Sequence, residues 1–394
     1  MDLSLKNRRK IWLKVHLYLG LFAGAIFVLI GLTGSLLVFE DAIDVWSNSK
    51  LMVAPAPGGN KRFLPLDEIV ASGMKALPNK AKALDLGFPR DSERTFDLWF
   101  EQPSPNADYF ERHQIFINPY TAEITGQRLL IDFQRPWRDP FMDFILRLHY
   151  SLALGSIGMN IVGWVGLALF FTVLTGVILW WPRSGKISKA LTIKRNASSE
   201  RLNFDLHKTF GFYSAIILVF LIASGVYLVF PKYARGLVGI FSPVSRPWPD
   251  YQSVVPVGDK TPLSLVEIKR ITDARFPDGE YRRIVFPQNE RGVYVVSKRA
   301  IDEVNQKKAY RRLWIDQYSG NILHVREHST RTTGDIIEEW LFPLHTGEAF
   351  GMTGQIIILS FGLTPLILYV TGVIRWLQKN RAVNRKQGKC EAGG

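Results

Sequence analysis

The chain has 394 residues, of which 47% are hydrophobic, and a formal net charge of +14 at pH 7. Such a charge would suit a nucleic-acid partner, but the excess bases flank long apolar runs, so we exclude nucleic acid and expect a lipid bilayer instead. The single cysteine excludes an internal disulfide.

Four apolar runs are long enough to cross a bilayer, because about 20 apolar residues in a helix span its hydrocarbon core. They cover residues 17–39, 157–181, 210–230 and 356–376. Glu40 and Asp41 follow the first run where a signal peptide would have small residues at its cleavage site. We therefore interpret the first run as a retained membrane helix.

The excess positive charge marks three segments beside the apolar runs. Residues 1–14, 182–202 and 375–394 hold 17 Lys and Arg side chains and three acids, which accounts for the whole net charge of +14. Because Lys and Arg are enriched in cytoplasmic loops, both termini and the 182–202 loop are predicted to be cytoplasmic. Residues 40–148 and 231–344 are then predicted to lie outside.

Each outside segment is predicted to be a small α+β domain that begins with a helix, near Pro65 in the first and near Pro262 in the second. The predicted strands cover residues 95–100, 113–119 and 124–130, and then 282–286, 292–297 and 311–315. A turn at 118–124 in the first segment recurs at 316–322 in the second.

Four of the seven histidines stand at the start of the four apolar runs: His16, His149, His207 and His345. His16 is followed by glycines at positions 20 and 34, and His207 by glycines at positions 211 and 225, so both spacings are repeated. His149 is followed by glycines at 155 and 158 and by Thr-Gly at 175–176, and His345 by glycines at 351 and 354 and by Thr-Gly at 371–372. The pattern indicates a tandem duplication of a helix–domain–helix unit, with both copies in the same orientation.

The duplication pairs His16 with His207 near the cytoplasmic face, and His149 with His345 near the outer face. Ionisable groups within a membrane are costly and usually functional, and neutral imidazole ligates haem iron. Two bis-histidine sites at different depths suit electron transfer across the membrane. No Cys-x-x-Cys-His motif occurs, so any haem would be of the non-covalent b type. The alternative for each histidine alone is a helix cap or an interfacial position.

The second and fourth runs are long if they begin at their histidines. From His149 to Trp181 a straight helix would extend about 48 Å, against a hydrocarbon core of about 30 Å. Either His149 lies at the outer boundary or the helix breaks near residues 155–158. The same choice applies to His345 and residues 351–354.

Other chemistry has weak signals. His324 and His328 are close in the sequence, but on a strand or loop, which is poor evidence for a metal site. No charged pair lies in the middle of an apolar run, which disfavours a proton-coupled transporter.

The His-headed helices, the repeated Thr-Gly pairs and the two small domains with related turns resemble the PepSY-associated transmembrane family over nearly the whole chain. The resemblance implies a membrane α-helical fold: four transmembrane helices in a duplicated helix–domain–helix arrangement with two small α+β PepSY-like periplasmic domains. The four membrane helices are expected within residues 1–39, 149–181, 203–230 and 345–377. The two periplasmic domains are expected at 40–148 and 231–344, and the cytoplasmic loop and tail at 182–202 and 378–394.

Members of the family are similar to ferric-siderophore reductases of the bacterial inner membrane. This resemblance implies two haem b groups with His16, His149, His207 and His345 as axial ligands. It also implies a separate electron donor, a quinol or a cytoplasmic reductase, and a ferric siderophore that is reduced in the periplasm. Because a ferric chelate is too bulky and polar to enter the bilayer, we expect it to dock in the cleft between the outside domains. The alternative is a non-enzymatic PepSY membrane protein that binds peptides or regulates a protease.

Overall fold

The computed structural model describes residues 5–59, 62–105, 109–182, 187, 191–194, 196–245, 249–258 and 261–391. Within them the chain divides into two compact units. The helical unit comprises Met1–Val38, Ile145–Arg235 and His345–Gly394, and the sheet unit comprises Phe39–Phe144 and Gly236–Leu344.

Twelve helices are assigned in the described residues. In chain order they are α1 (Leu5–Leu37), α2 (Glu40–Ser47), α3 (Ser49–Met52), α4 (Leu66–Lys75), α5 (Phe141–Ser151), α6 (Gly155–Trp180), α7 (Ser199–Val229), α8 (Pro231–Gly239), α9 (Leu265–Arg275), α10 (Thr333–Thr346), α11 (Gly351–Gly362) and α12 (Thr364–Glu391). Among the described residues, four stretches are long and apolar enough to cross a membrane: Asn7–Leu37, Gly155–Trp180, Ser199–Val229 and Glu348–Ala382. The prediction of a multi-pass membrane protein with four spanning helices is confirmed.

The spanning helices form a closed ring in which α1 and α7 each pack against both α6 and α12. A small apolar core of Ala23, Leu169, Leu218 and Ile222 lies inside the ring. The outer surface is also apolar, as Ile216 on α7 is 84% exposed. Helices that are apolar on every side are typical of a bilayer environment.

The helix is interrupted just before two of the membrane-spanning stretches. Between α5 and α6, Leu152 and Ala153 take left-handed φ values of 51° and 56°. Between α10 and α11, Gly347 takes a φ of 81°. Non-glycine residues are rare in this region, so the first break is costly and must be held by its surroundings. The sequence left open whether the helices that begin at His149 and His345 are straight or broken, and the structure shows that both are broken.

The glycine after each break fits a tight contact. A Cβ on Gly158 would lie 1.7 Å from the carbonyl oxygen of Ser151, and a Cβ on Gly354 would lie 2.2 Å from that of Gly347. No other residue fits these positions without moving the backbone, which explains why glycine occupies the same place after both His149 and His345.

In the part of the chain that the structure describes, the sheet unit has eight antiparallel strands in the order β4-β3-β2-β1-β5-β6-β7-β8. They are β1 (Lys82–Gly87), β2 (Phe96–Pro103), β3 (Phe110–Ile117), β4 (Ile124–Asp132), β5 (Glu280–Val285), β6 (Val293–Arg299), β7 (Arg312–Asp316) and β8 (Ile322–Arg326). Residues 40–148 supply β1 to β4 and residues 231–344 supply β5 to β8, and β1 pairs with β5 with Leu86 opposite Ile284. The two expected small domains thus share one sheet.

One apolar core joins the two halves of this sheet. Helices α4 and α9 contact each other, and Ile69 and Ile268 on them are fully buried against the core strands. Leu86 and Ile284, which face each other across the β1–β5 pair, belong to the same core. Burial of apolar surface across the junction favours a single sheet unit.

Six of the eight strands overlap the predicted ones, whereas β1 and β8 were not predicted. Strand β1 contains Asp85 and ends at Gly87, residue types that strands disfavour. Strand β8 is short and begins at Ile322, the position in the second repeat that is equivalent to Ile124 at the start of β4. The repeat would therefore have located β8.

Asp132 at the end of β4 is expected to stabilise the sheet unit in a pH-dependent way. Burial alone would raise the pKa of this fully buried carboxylate, but the Arg135 backbone N–H and the Tyr109 and Arg138 side chains donate hydrogen bonds that lower the pKa to about 2. A depressed pKa contributes stability above the unfolded-state value near 4, and the contribution is lost as the pH falls towards 2.

We expect Asp132→Asn to reduce the free energy of unfolding by about 2 kcal/mol at pH 7, and by progressively less below pH 4. Unfolding of the detergent-solubilised protein, followed by circular dichroism, measures the difference. Asp302→Asn is the control, because the Asp302 side chain is 80% exposed. A difference at pH 7 that persists at pH 2 would contradict this assignment.

Candidate functional site

The structure brings the four predicted histidines together as two pairs. The ring centroids of His16 on α1 and His207 on α7 are 6.3 Å apart, with 82° between the ring planes. Those of His149 near the end of α5 and His345 near the end of α10 are also 6.3 Å apart, with 64° between planes. The pairing is the one that the repeated spacing predicts.

Neighbouring helices hold both rings of the His16–His207 pair in the same manner. Each Nδ1 lies near a backbone carbonyl oxygen and a threonine hydroxyl. The distances are 3.0 Å from His16 to Thr172 O, 3.3 Å from His16 to Thr175 Oγ1, 3.1 Å from His207 to Leu368 O and 2.9 Å from His207 to Thr371 Oγ1. A carbonyl oxygen only accepts, so Nδ1 carries the proton and Nε2 keeps a free lone pair.

The two rings of the His149–His345 pair are held differently from each other. His149 Nδ1 lies 3.0 Å from the carbonyl oxygen of Ile30 and 3.2 Å from Thr33 Oγ1. His345 Nδ1 lies 2.8 Å from Ser224 Oγ. In the described part of the chain no backbone carbonyl accepts a hydrogen bond from His345.

Each of these hydroxyl residues is followed by a glycine that faces the same imidazole. A Cβ added to the glycine would lie within 3.5 Å of the ring carbon Cε1 in all four cases. The distances are 2.9 Å for Gly34 and His149, 3.1 Å for Gly176 and His16, 3.5 Å for Gly225 and His345, and 3.4 Å for Gly372 and His207. The absence of a Cβ thus allows this close approach at Gly34 and Gly176, whereas a Cβ at Gly372 or Gly225 would make an ordinary contact with the ring.

The two pairs lie at different levels of the helical bundle. On α1, His16 belongs to one pair and Thr33 contacts the other. On α7, His207 and Ser224 have the same relation, and they are separated by the same number of positions as His16 and Thr33. This is a separation of about 25 Å along each helix, at a rise of about 1.5 Å for each position. On α1 the core residue Ala23 lies between the two levels.

The remaining histidines lie in the sheet unit. His324 stacks on Tyr251 and His328 stacks on Tyr310, with ring centroids 5.0 and 5.5 Å apart. Among the described residues, no group of three or more His, Cys, Asp or Glu side chains is arranged to hold a metal ion. The paired histidines of the helical unit are therefore the stronger candidates for a site.

The model of the family described as PepSY-associated TM region matches residues 13–379. The chain belongs to this family. A comparison with curated proteins gave no match. All four paired histidines and every strand of the sheet lie within the part of the chain that matches the PepSY-associated family.

The sequence located the histidines and the neighbouring glycines but missed the groups that orient the rings. Thr175 and Thr371 belong to the repeated Thr-Gly pairs, whereas Thr33 and Ser224 do not. The signal was present, since each immediately precedes the second of the two repeated glycines that follow His16 and His207. The accepting carbonyls of Ile30, Thr172 and Leu368 belong to the backbone and have no side-chain signature.

Proposed function

We propose that the protein is a di-haem b oxidoreductase that carries electrons across the bacterial inner membrane and reduces a ferric siderophore in the periplasm. The observation that supports this most directly is the equal separation of the two histidine pairs, 6.3 Å between ring centroids in each. An iron held between two imidazoles would separate their ring centroids by about 6.2 Å, from two Fe–N bonds of about 2.0 Å each and about 1.1 Å from Nε2 to each ring centre.

The surroundings of the His16–His207 pair also suit a flat macrocycle. Gly20 and Gly211 each follow a histidine by one helical turn, and a Cβ on them would meet nothing closer than 4.0 and 3.6 Å. His16, His207, His149 and His345 would be the axial ligands, and haem b, when bound, supplies a one-electron iron couple. The Nδ1 hydrogen bonds fix the tautomer and the ring orientation, and the apolar bundle excludes water.

Reduction of the chelated iron explains how the metal would be released. A siderophore holds Fe(III) through hard oxygen ligands, and one added electron gives Fe(II), for which such ligands have lower affinity. Each iron consumes one electron from a separate donor, for which a quinol or a cytoplasmic reductase is the expected class.

The duplicated helix–domain–helix arrangement and the orientation belong to the same proposal. The distribution of bases supports cytoplasmic termini and a cytoplasmic 182–202 loop, part of which lies outside the described residues. The sheet unit would then lie in the periplasm. The matched contacts of His16 and His207 support the duplication.

Reporter fusions after Gly185 and near Asn289 are expected to lie on opposite sides of the membrane. The first position is in the basic loop and the second is in the sheet unit, between β5 and β6. An alkaline phosphatase fusion should be active only near Asn289, and a fluorescent protein that folds in the cytoplasm only after Gly185. Activity of the same reporter at both positions would exclude this topology.

Replacing Gly34 by alanine is expected to weaken haem binding at the His149–His345 pair by roughly tenfold or more, the range seen when the groups that orient a metal ligand are changed. The new Cβ would lie 2.9 Å from His149 Cε1, so the ring must move. Haem retained per protein after dilution in detergent measures the effect. Gly225→Ala is the matched control, because its Cβ would lie at an ordinary 3.5 Å from His345 Cε1. Equal losses in both variants would show that the contact is unimportant.

The alternative, a non-enzymatic PepSY protein that binds peptides or regulates a protease, is favoured by one observation. A groove of about 440 Å³ lies beside α4 and the start of α9, with walls that include Val70, Met74 and Leu265. Most of its lining residues are apolar, and Gln317 Nε2 is engaged internally, since it donates to the carbonyl oxygen of Gly292 at 2.8 Å. Such a surface suits apolar peptide side chains better than a polar ferric chelate.

One spectrum separates the two functions. Protein purified after expression with adequate haem supply should be red, with a Soret band, and dithionite should reduce two b-type haems per chain. Colourless protein with an intact fold would exclude the oxidoreductase and favour the peptide-binding alternative.

A further inference from the structure

The hydrogen bonding of the four imidazoles is unequal in one respect. His16, His207 and His149 each donate from Nδ1 to a backbone carbonyl oxygen, at 3.0 to 3.1 Å. His345 Nδ1 instead lies 2.8 Å from the side-chain oxygen Oγ of Ser224.

The hydroxyl group of Ser224 is the acceptor in this bond when Nδ1 carries the proton, which is the tautomer that leaves Nε2 free for iron. The Ser224 hydroxyl can then donate its own proton to the carbonyl oxygen of Phe220, 2.8 Å away. A hydroxyl oxygen carries less negative charge than a peptide carbonyl oxygen and is the weaker acceptor. His345 is therefore the least electron-rich of the four imidazoles.

The strength of this bond affects an iron bound at Nε2. A strong acceptor at Nδ1 pulls the proton away from the ring and makes the imidazole a more basic ligand, which stabilises Fe(III) over Fe(II). A weak acceptor has the opposite effect and raises the reduction potential.

We propose that Ser224 tunes the haem of the His149–His345 pair to a higher reduction potential than the haem of the His16–His207 pair. This inference rests on the proposed di-haem function and adds a direction for electron transfer between the two haems. The electron equilibrium favours the His149–His345 pair, so electrons move downhill towards the side on which the ferric chelate is reduced. Ser224 is a positioning residue that acts through His345.

The test is a spectroelectrochemical titration of the purified full-length holoprotein. The wild type should show two one-electron midpoints, and His16→Ala, which keeps only the His149–His345 pair, should retain the higher one. Ser224→Ala removes the acceptor from His345 and should raise the higher midpoint by about tenfold in the reduction equilibrium, or 59 mV for a one-electron couple. Ser224→Thr restores a hydroxyl and should keep the wild-type value.

Thr371→Ala is the matched control, because His207 keeps the Leu368 carbonyl as an acceptor at 3.1 Å after the hydroxyl is lost. It should shift the lower midpoint by less than half of the change in Ser224→Ala. Unchanged midpoints in Ser224→Ala, or a lower midpoint as the one retained in His16→Ala, would overturn the inference. If Ser224→Ala loses haem, the His16→Ala titration alone decides. Absence of haem from the wild type would instead exclude the proposed function itself.

Discussion

Replacing either His16 or His207 by alanine is expected to remove one haem and to leave the other in place. The two rings face each other at 6.3 Å on α1 and α7, and one axial ligand alone does not maintain a low-spin bis-histidine site. The haem-to-protein ratio should fall from about two to about one in each variant, as expected for loss of one bis-histidine centre. The double variant should lose no more haem than either single one.

His149→Ala and His345→Ala should each remove the other haem, with a difference spectrum that complements the first. His324→Ala is the control, because this histidine stacks on Tyr251 in the sheet unit and should leave both haems unchanged. The pairing would be wrong if His16→Ala and His207→Ala perturbed haems with different spectra.

The pairing was predictable from the sequence because a duplication places equivalent residues at equivalent depths. Its spacing matched His16 with His207 and His149 with His345, and a histidine inside a membrane is costly enough to indicate function. The separation of the rings was not predictable. It depends on how four helices pack and on glycines that allow close approach, such as Gly34 beside His149.

The sequence also did not predict that residues 40–148 and residues 231–344 share one sheet. Strand β1 pairs with β5, with Leu86 opposite Ile284, although the two strands belong to different halves of the chain. Pairing between such distant strands has no local periodicity, and β1 contains an aspartate and a glycine that weaken even its own strand signal. The repeat predicted two similar halves but did not predict that β1 and β5 pair to join them in one sheet.

The function of Ser224 was hidden for a different reason. Small hydroxyl residues are frequent at helix contacts in membranes, so a serine within an apolar run has no specific meaning. Its significance comes from the 2.8 Å contact with His345 and from the absence, in the described residues, of the backbone acceptor that the other three histidines have. Only the three-dimensional arrangement reveals such a difference between otherwise repeated sites.

Oxidation of the reduced protein by a ferric chelate is expected to occur from one side of the membrane only. The protein would be placed in sealed vesicles of known orientation, reduced beforehand, and mixed with a membrane-impermeant ferric siderophore. Haem reoxidation should be complete when the chelate is on the side of residues 40–148 and 231–344, and negligible when it is on the other. A bulky, polar chelate cannot enter the hydrocarbon core, so it must receive its electron where it docks on the protein surface. In the proposed function that docking surface is only on the side of these two segments.

His149→Ala should block this reoxidation although the His16–His207 haem is still present and reducible. The variant therefore separates electron exit from electron entry, because only the pair on the chelate side is lost. Gly225→Ala, whose new Cβ makes an ordinary contact with His345, should reoxidise like the wild type. Reoxidation from the cytoplasmic side alone would reverse the conclusion, since the His16–His207 pair would then be the exit and the chelate would be reduced inside the cell.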